Sequence, residues 1–68
     1  MKRLSGKEMC RVLQRHGWTL DHVDGSHHIF RNAAVPYTIP VPVHGNRTLK
    51  KGTQHNIMKR AGLTEADL

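Results

Sequence analysis

Apolar residues recur along this chain in two rhythms, one of three to four residues and one of two. In "LSGKEMCRVLQRHGW", Met9, Val12, Leu13 and His16 fall at i, i+3, i+4 and i+7, the spacing that lines one stripe of a helix. Ser5 followed by Glu8 is a capping-box pattern, in which each side chain satisfies a backbone N–H at the helix start. Gly17 supplies the left-handed stop. The pattern predicts a first helix over residues 5–16.

The rhythm of two takes over next. "WTLDHVD" alternates, meets the turn signal Asp24-Gly25-Ser26, and is followed by "HHIFRN", so the two runs read as a β-hairpin. Pairing parity places Trp18, Leu20, His22, His27, Ile29 and Arg31 on one face, and Thr19, Asp21, Val23, His28 and Phe30 on the other. In "VPYTIPVPVHGN", Tyr37, Ile39, Val41 and Val43 alternate without a break, while Pro36, Pro40 and Pro42 occupy the opposite parity. Alternate N–H groups of a strand point to the same side, so the prolines strip donors from one edge only. This predicts an edge strand that pairs on its complete side and turns a blunt side outward. A basic turn, "HGNRTLKKGTQ", leads to a second helix marked by Ile57, Met58 and Ala61. That helix ends at Gly62, with Leu63 placed for the contact that follows such a stop, and "TEADL" could add a short turn capped by Thr64. The predicted order is α-β-β-β-α: an α+β fold with a three-stranded antiparallel sheet and both helices on one face, in a single domain over residues 1–68.

Composition narrows the function. A chain of 68 residues buries only about 60% of the surface it exposes when unfolded, so the core must be small. Cys10 is the only cysteine, which excludes an internal disulfide and fits a reducing cytoplasm. Neither an apolar leader region at the N-terminus nor an apolar run of membrane-spanning length is visible, so no membrane association is expected. Eleven Lys and Arg against five acidic residues give a net charge of +6. Such an excess points to an anionic partner, either nucleic acid or an acidic protein surface, with solubility alone as the plain alternative.

"GSHHIF" carries the sharpest candidate chemistry. An imidazole changes charge near neutral pH, and a neutral one beside a phosphate can take the proton from a ribose 2′-hydroxyl, helped by positive charge around the developing dianion. His27 and His28 are therefore candidates for RNA cleavage, against the plainer reading of histidines that pack in a strand. A metal site would need His22, His27 and His28 together, but parity turns His28 away from the other two, and no helix carries a ligand pair at i, i+4. Arg47, Lys50 and Lys51, with the backbone of Gly52 and Thr53, sit at the start of the second helix, where the dipole and free N–H groups favour an anion. Trp18, Phe30 and Tyr37 read as core or rim packing rather than base-stacking platforms.

"GSHHIF", "PVHGNRTLKKGT" and "IMKRAGLT", in that order, resemble the HicA family, mRNA-cleaving toxins of HicA–HicB toxin–antitoxin modules; the likeness runs from Ser5 to about Glu65. The resemblance implies a fold like the double-stranded RNA-binding domain, an endoribonuclease without cofactor or metal, mRNA as substrate, and neutralisation by a HicB-type antitoxin that covers the active site. The family's Gly-small-His motif maps onto Gly25, Ser26 and His27, with Gly25 shaping the turn, His27 as general acid or base, and His28 in reserve. Arg47, Lys50, Lys51 and Thr53 would hold RNA phosphates. Two departures stand out: Gln54 replaces an apolar residue and is expected to loosen helix packing, and Asp21-His22 replaces apolar and basic residues of the first strand and bears on RNA grip. A non-catalytic RNA-binding module and a pure interaction protein remain alternatives.

Overall fold

The computed structural model describes all 68 residues. Its first helix is set by Ser5, whose Oγ accepts the Glu8 N–H at 3.1 Å while the Ser5 N–H donates to Glu8 Oε1 at 2.9 Å. This reciprocal cap starts α1 (Gly6–Arg15), and Gly17 leaves it with φ +89°. Met9, Val12 and Leu13 are buried, as the stripe predicts. His16 is exposed beyond the helix end, its Nδ1 2.9 Å from the Val12 carbonyl.

Strands β1 (Thr19–Asp24) and β2 (His27–Arg31) form the hairpin, with Asp24 opposite His27 and Gly25-Ser26 as its two-residue loop. Gly25 has φ +60° and no other hairpin residue has positive φ, the arrangement of a type II′ turn, which needs glycine at the first loop position. Near the turn the expected faces hold, with His22 opposite Ile29 and Val23 opposite His28. Further away they do not. A bulge between Leu20 and His22 puts Leu20 opposite Phe30 and Thr19 opposite Arg31. The extra residue, Asp21, shifts everything before it by one step, and a one-residue shift exchanges the faces. Leu20 consequently leaves the face of Ile29 and His22. Trp18 precedes β1 and is 4% exposed, inside the core.

β3 (Ile39–Pro42) completes the sheet in the order β1-β2-β3, so the proline strand is an edge. Ile39 pairs with Phe30 and Val41 with His28, while Pro40 and Pro42 lie opposite Ile29 and His27. The strand is shorter than the alternation from Tyr37 predicts. Arg60 of the second helix explains this: it donates to the Thr38 carbonyl at 3.1 Å, its carbonyl accepts the Tyr37 hydroxyl at 2.8 Å, and its guanidinium stands 5.0 Å from the Tyr37 ring centre. Residues 37 and 38 are thus held to a helix rather than to β2.

Helix α2 (Lys51–Ala61) ends at Gly62, φ +71°, where the Gly62 N–H donates to the Lys59 carbonyl and the Leu63 N–H to the Met58 carbonyl. These two bonds are the Schellman pattern. A 3₁₀ turn, Glu65–Asp67, follows under a Thr64–Asp67 cap. Phe30, Ile39 and Val41 of the inner sheet face meet Met9, Val12 and Leu13 of α1 and Ile57 and Met58 of α2, with Leu4, Trp18 and Leu49 closing the cluster. Both helices cover this one face, while His22, Asp24, His27 and Arg31 stand exposed on the other.

Gln54 sits fully buried in that core. It does not loosen α2. Its Oε1 accepts the Leu4 N–H at 2.9 Å and its Nε2 donates to the Lys2 carbonyl at 2.6 Å, so the amide ties the first residues of the chain to the helix.

Candidate functional site

The hairpin presents its two adjacent histidines on opposite faces. His28 points to the helix side beside Val41; it is half-buried, and its Nδ1 is buried without a hydrogen-bond partner. His27 is exposed at the first position after the turn, opposite Pro42 of the edge strand. From there it reaches a cavity of about 310 Å³ shared with Pro40, Pro42, Thr53, Asn56 and Arg60. Gly25 and Ser26 do not line that cavity; they set the hairpin that carries His27. The Ser26 carbonyl accepts the Val43 N–H at 2.7 Å, which fastens the turn to the segment after β3.

The segment between β3 and α2 brings a second cavity, about 320 Å³, lined by His44, Arg47, Lys50 and Thr53 together with Pro42. Pro42 and Thr53 line both cavities, so they adjoin along the β3 edge. Lys50 immediately precedes α2 without a side-chain cap, and the first turn contains no acidic residue. A helix start leaves its first N–H groups without intrahelical partners, and the dipole adds positive potential there. The ion pairs and His–carboxylate contacts of the molecule engage Asp21, Glu65 and Asp67, and none engages Arg47, Lys50 or Lys51. No carboxylate pairs with these three cations; across the hairpin, Asp24 lies opposite His27.

Arg47, Lys50 and Thr53 come together with His27 along one groove, whereas Lys51 lines a different cavity with His55 and Lys59. His44, Asn56 and Arg60 belong to the groove and did not emerge as candidates from sequence. Helical spacing carried a signal for two of them, since Thr53, Asn56 and Arg60 fall at i, i+3 and i+7 on one face of α2. Asp21 and His22 pair with each other at 2.6 Å, and Asp21 also lies 3.4 Å from Arg31 Nε; they stand on the hairpin outside the groove. No three His, Cys, Asp or Glu side chains converge in a way that could hold a metal ion, and no helix is long and apolar enough to cross a membrane.

An exposed imidazole beside a cationic groove can exchange protons with an anionic ligand and hold its charge. No curated protein matches the chain. The family model described as the HicA toxin of bacterial toxin–antitoxin matches residues 6–63, from the first residue of α1 to the Leu63 that closes α2. By that match over most of its length, with the α-β-β-β-α order around it, the chain belongs to the HicA toxin family.

Proposed function

We propose that this chain is a metal-independent endoribonuclease toxin, acting as a single domain over residues 1–68 on mRNA in the cytoplasm and neutralised by a HicB-type antitoxin. His27 is the general acid or base, on a hairpin shaped by Gly25 and Ser26. One observation carries the reading: His27 is exposed in a groove that adjoins Thr53 and the cations Arg47 and Lys50, neither of which forms an ion pair. In the reaction, an imidazole nitrogen of His27 takes the proton of a ribose 2′-hydroxyl, and the oxygen attacks the adjacent phosphorus as the bond to the 5′-oxygen breaks. The departing oxygen takes up a proton from the imidazolium or from water, leaving a 2′,3′-cyclic phosphate and a 5′-hydroxyl. Arg47, Lys50 and the Thr53 end of α2 stabilise the charge that builds on the phosphate, and Lys51 contributes at longer range. The antitoxin acts by covering this groove with an acidic surface.

The test is incubation of a labelled mRNA with chelator and wild-type, His27→Ala or His28→Ala protein. Wild type cleaves, and His27→Ala loses cleavage by about 10²–10⁴-fold, the usual worth of a general acid–base group, with an unchanged circular dichroism spectrum. A folded His27→Ala protein that still cleaves would show the assignment to be wrong. The partnerless Nδ1 of His28 favours one specific second reading, in which the neighbouring ring does the chemistry; loss of cleavage in folded His28→Ala alone would move the role there.

A further inference from the structure

The groove at His27 continues past the basic turn. Thr48 lines the cavity of Arg47 and Lys50, and also a cavity of about 350 Å³ between that loop and α1, where its neighbours include Lys7, Arg11 and Asn46. Arg11 in turn lines a hollow of about 130 Å³ that reaches Arg15. Successive cavities share lining residues, so they follow one another from Arg15 at the end of α1, past the loop, towards His27 and Arg60.

Lys7, Arg11 and Arg15 are exposed and fall at i, i+4 and i+8, which sets them about 6 Å apart along one ridge at the helical rise per residue. None of the three forms an ion pair. Glu8 is the one acidic side chain lining these cavities, and it is engaged by the Ser5 N–H. The chemistry of the path favours a polyanion backbone over a protein. Every residue lining the cavity between α1 and the loop is polar, whereas protein interfaces are anchored by buried aromatic or aliphatic side chains. Base stacking is equally ill served: Trp18 and Phe30 are buried and Tyr37 lies under Arg60, so no free aromatic platform stands along the path.

We infer that the outer ridge of α1, Lys7, Arg11 and Arg15, extends the RNA site, gripping the sugar–phosphate backbone away from the scissile phosphate without reading bases. The inference rests on the assignment of the His27 groove as an RNA site. It gives the toxin a substrate requirement: RNA long enough to cross the molecule, whose longest extent is 29 Å, is held better than a fragment that fills the groove alone.

The test uses single-stranded 2′-O-methyl RNA, which lacks the hydroxyl that cleavage needs, in a short length filling the groove and a long one spanning the molecule. Binding is measured over a series of salt concentrations for wild type and for the triple variant Lys7→Gln, Arg11→Gln, Arg15→Gln. The short RNA should bind both proteins equally. The long RNA should bind the variant more weakly, with a slope of log affinity against log salt shallower by about 2, since each single-strand phosphate contact contributes about 0.7. Equal affinity and slope for the long RNA would overturn the extended track and leave the groove assignment standing. Failure of wild type to bind either RNA would remove both. If the variant keeps its hold on long RNA but loses binding to polyglutamate, the ridge is a contact for an acidic protein and the inference is overturned.

Discussion

Gly6 is determined by a neighbour far away in sequence. A Cβ on it would lie 2.1 Å from the Pro42 carbonyl oxygen, because α1 begins backbone against backbone on the edge strand. Neither backbone can give way cheaply, so Gly6→Ala should destabilise the fold by about 1–3 kcal/mol, as overpacking commonly does. A lowered urea midpoint with unchanged slope is the expected result, and an unchanged midpoint would mean that α1 can slide. Sequence showed only that Gly6 follows a cap. At Gly25 the constraint is local, since φ is +60° with open space around it, and there the hairpin pattern sufficed. His27 and His28 were also separable in advance, since adjacent residues of a strand face opposite ways.

At the scale of elements, end signals were the most legible feature. The Ser5–Glu8 box and the Gly62 stop stand where the sequence places them, because a cap is completed within about four residues. The same caps predict an acid limit. Hydrogen bonds from Ser5 hold the Glu8 carboxyl below its ordinary value of 4.5, and bonds from Thr64 hold that of Asp67 below 3.8. A carboxylate with a depressed folded pKa contributes stability above its unfolded pKa and loses it as pH falls through the folded one. The thermal midpoint should therefore be flat in this respect at neutral pH and fall on acidification below about 4.5. The double variant Glu8→Gln, Asp67→Asn should fall less steeply over that acid range; identical acid limbs would refute the link. The bulge at Asp21 was not legible. It exchanges the faces of the residues before it, so that Leu20 pairs with Phe30 while staying exposed and Trp18 lies in a core that the hairpin alone does not contain.

At the scale of the whole molecule, the N-terminal segment is held by Gln54, by the Leu49 N–H donating to the Leu4 carbonyl at 2.8 Å, and by a β-bridge between Ser5 and Thr48. Gln54→Leu would restore the apolar character that the family resemblance leads one to expect, yet it strands the buried Leu4 N–H and releases the exposed Lys2 carbonyl. A buried polar group left unpaired costs about 1–3 kcal/mol. The variant should therefore melt several degrees lower, and a higher melting temperature would mean that packing outweighs the lost bonds.

By itself the sequence determined the order of elements, their caps, the place of the hairpin, the edge position of the proline strand and the excess of positive charge. These follow from backbone hydrogen-bonding periods and steric limits that act between near neighbours. Only the tertiary structure decided which face Leu20 and Trp18 take, what Gln54 does, and which cations stand with His27. Those outcomes depend on where β2, β3 and α2 cross, and His27, Pro42, Thr53 and Arg60 meet at one groove because a shared core aligns elements that no local pattern connects.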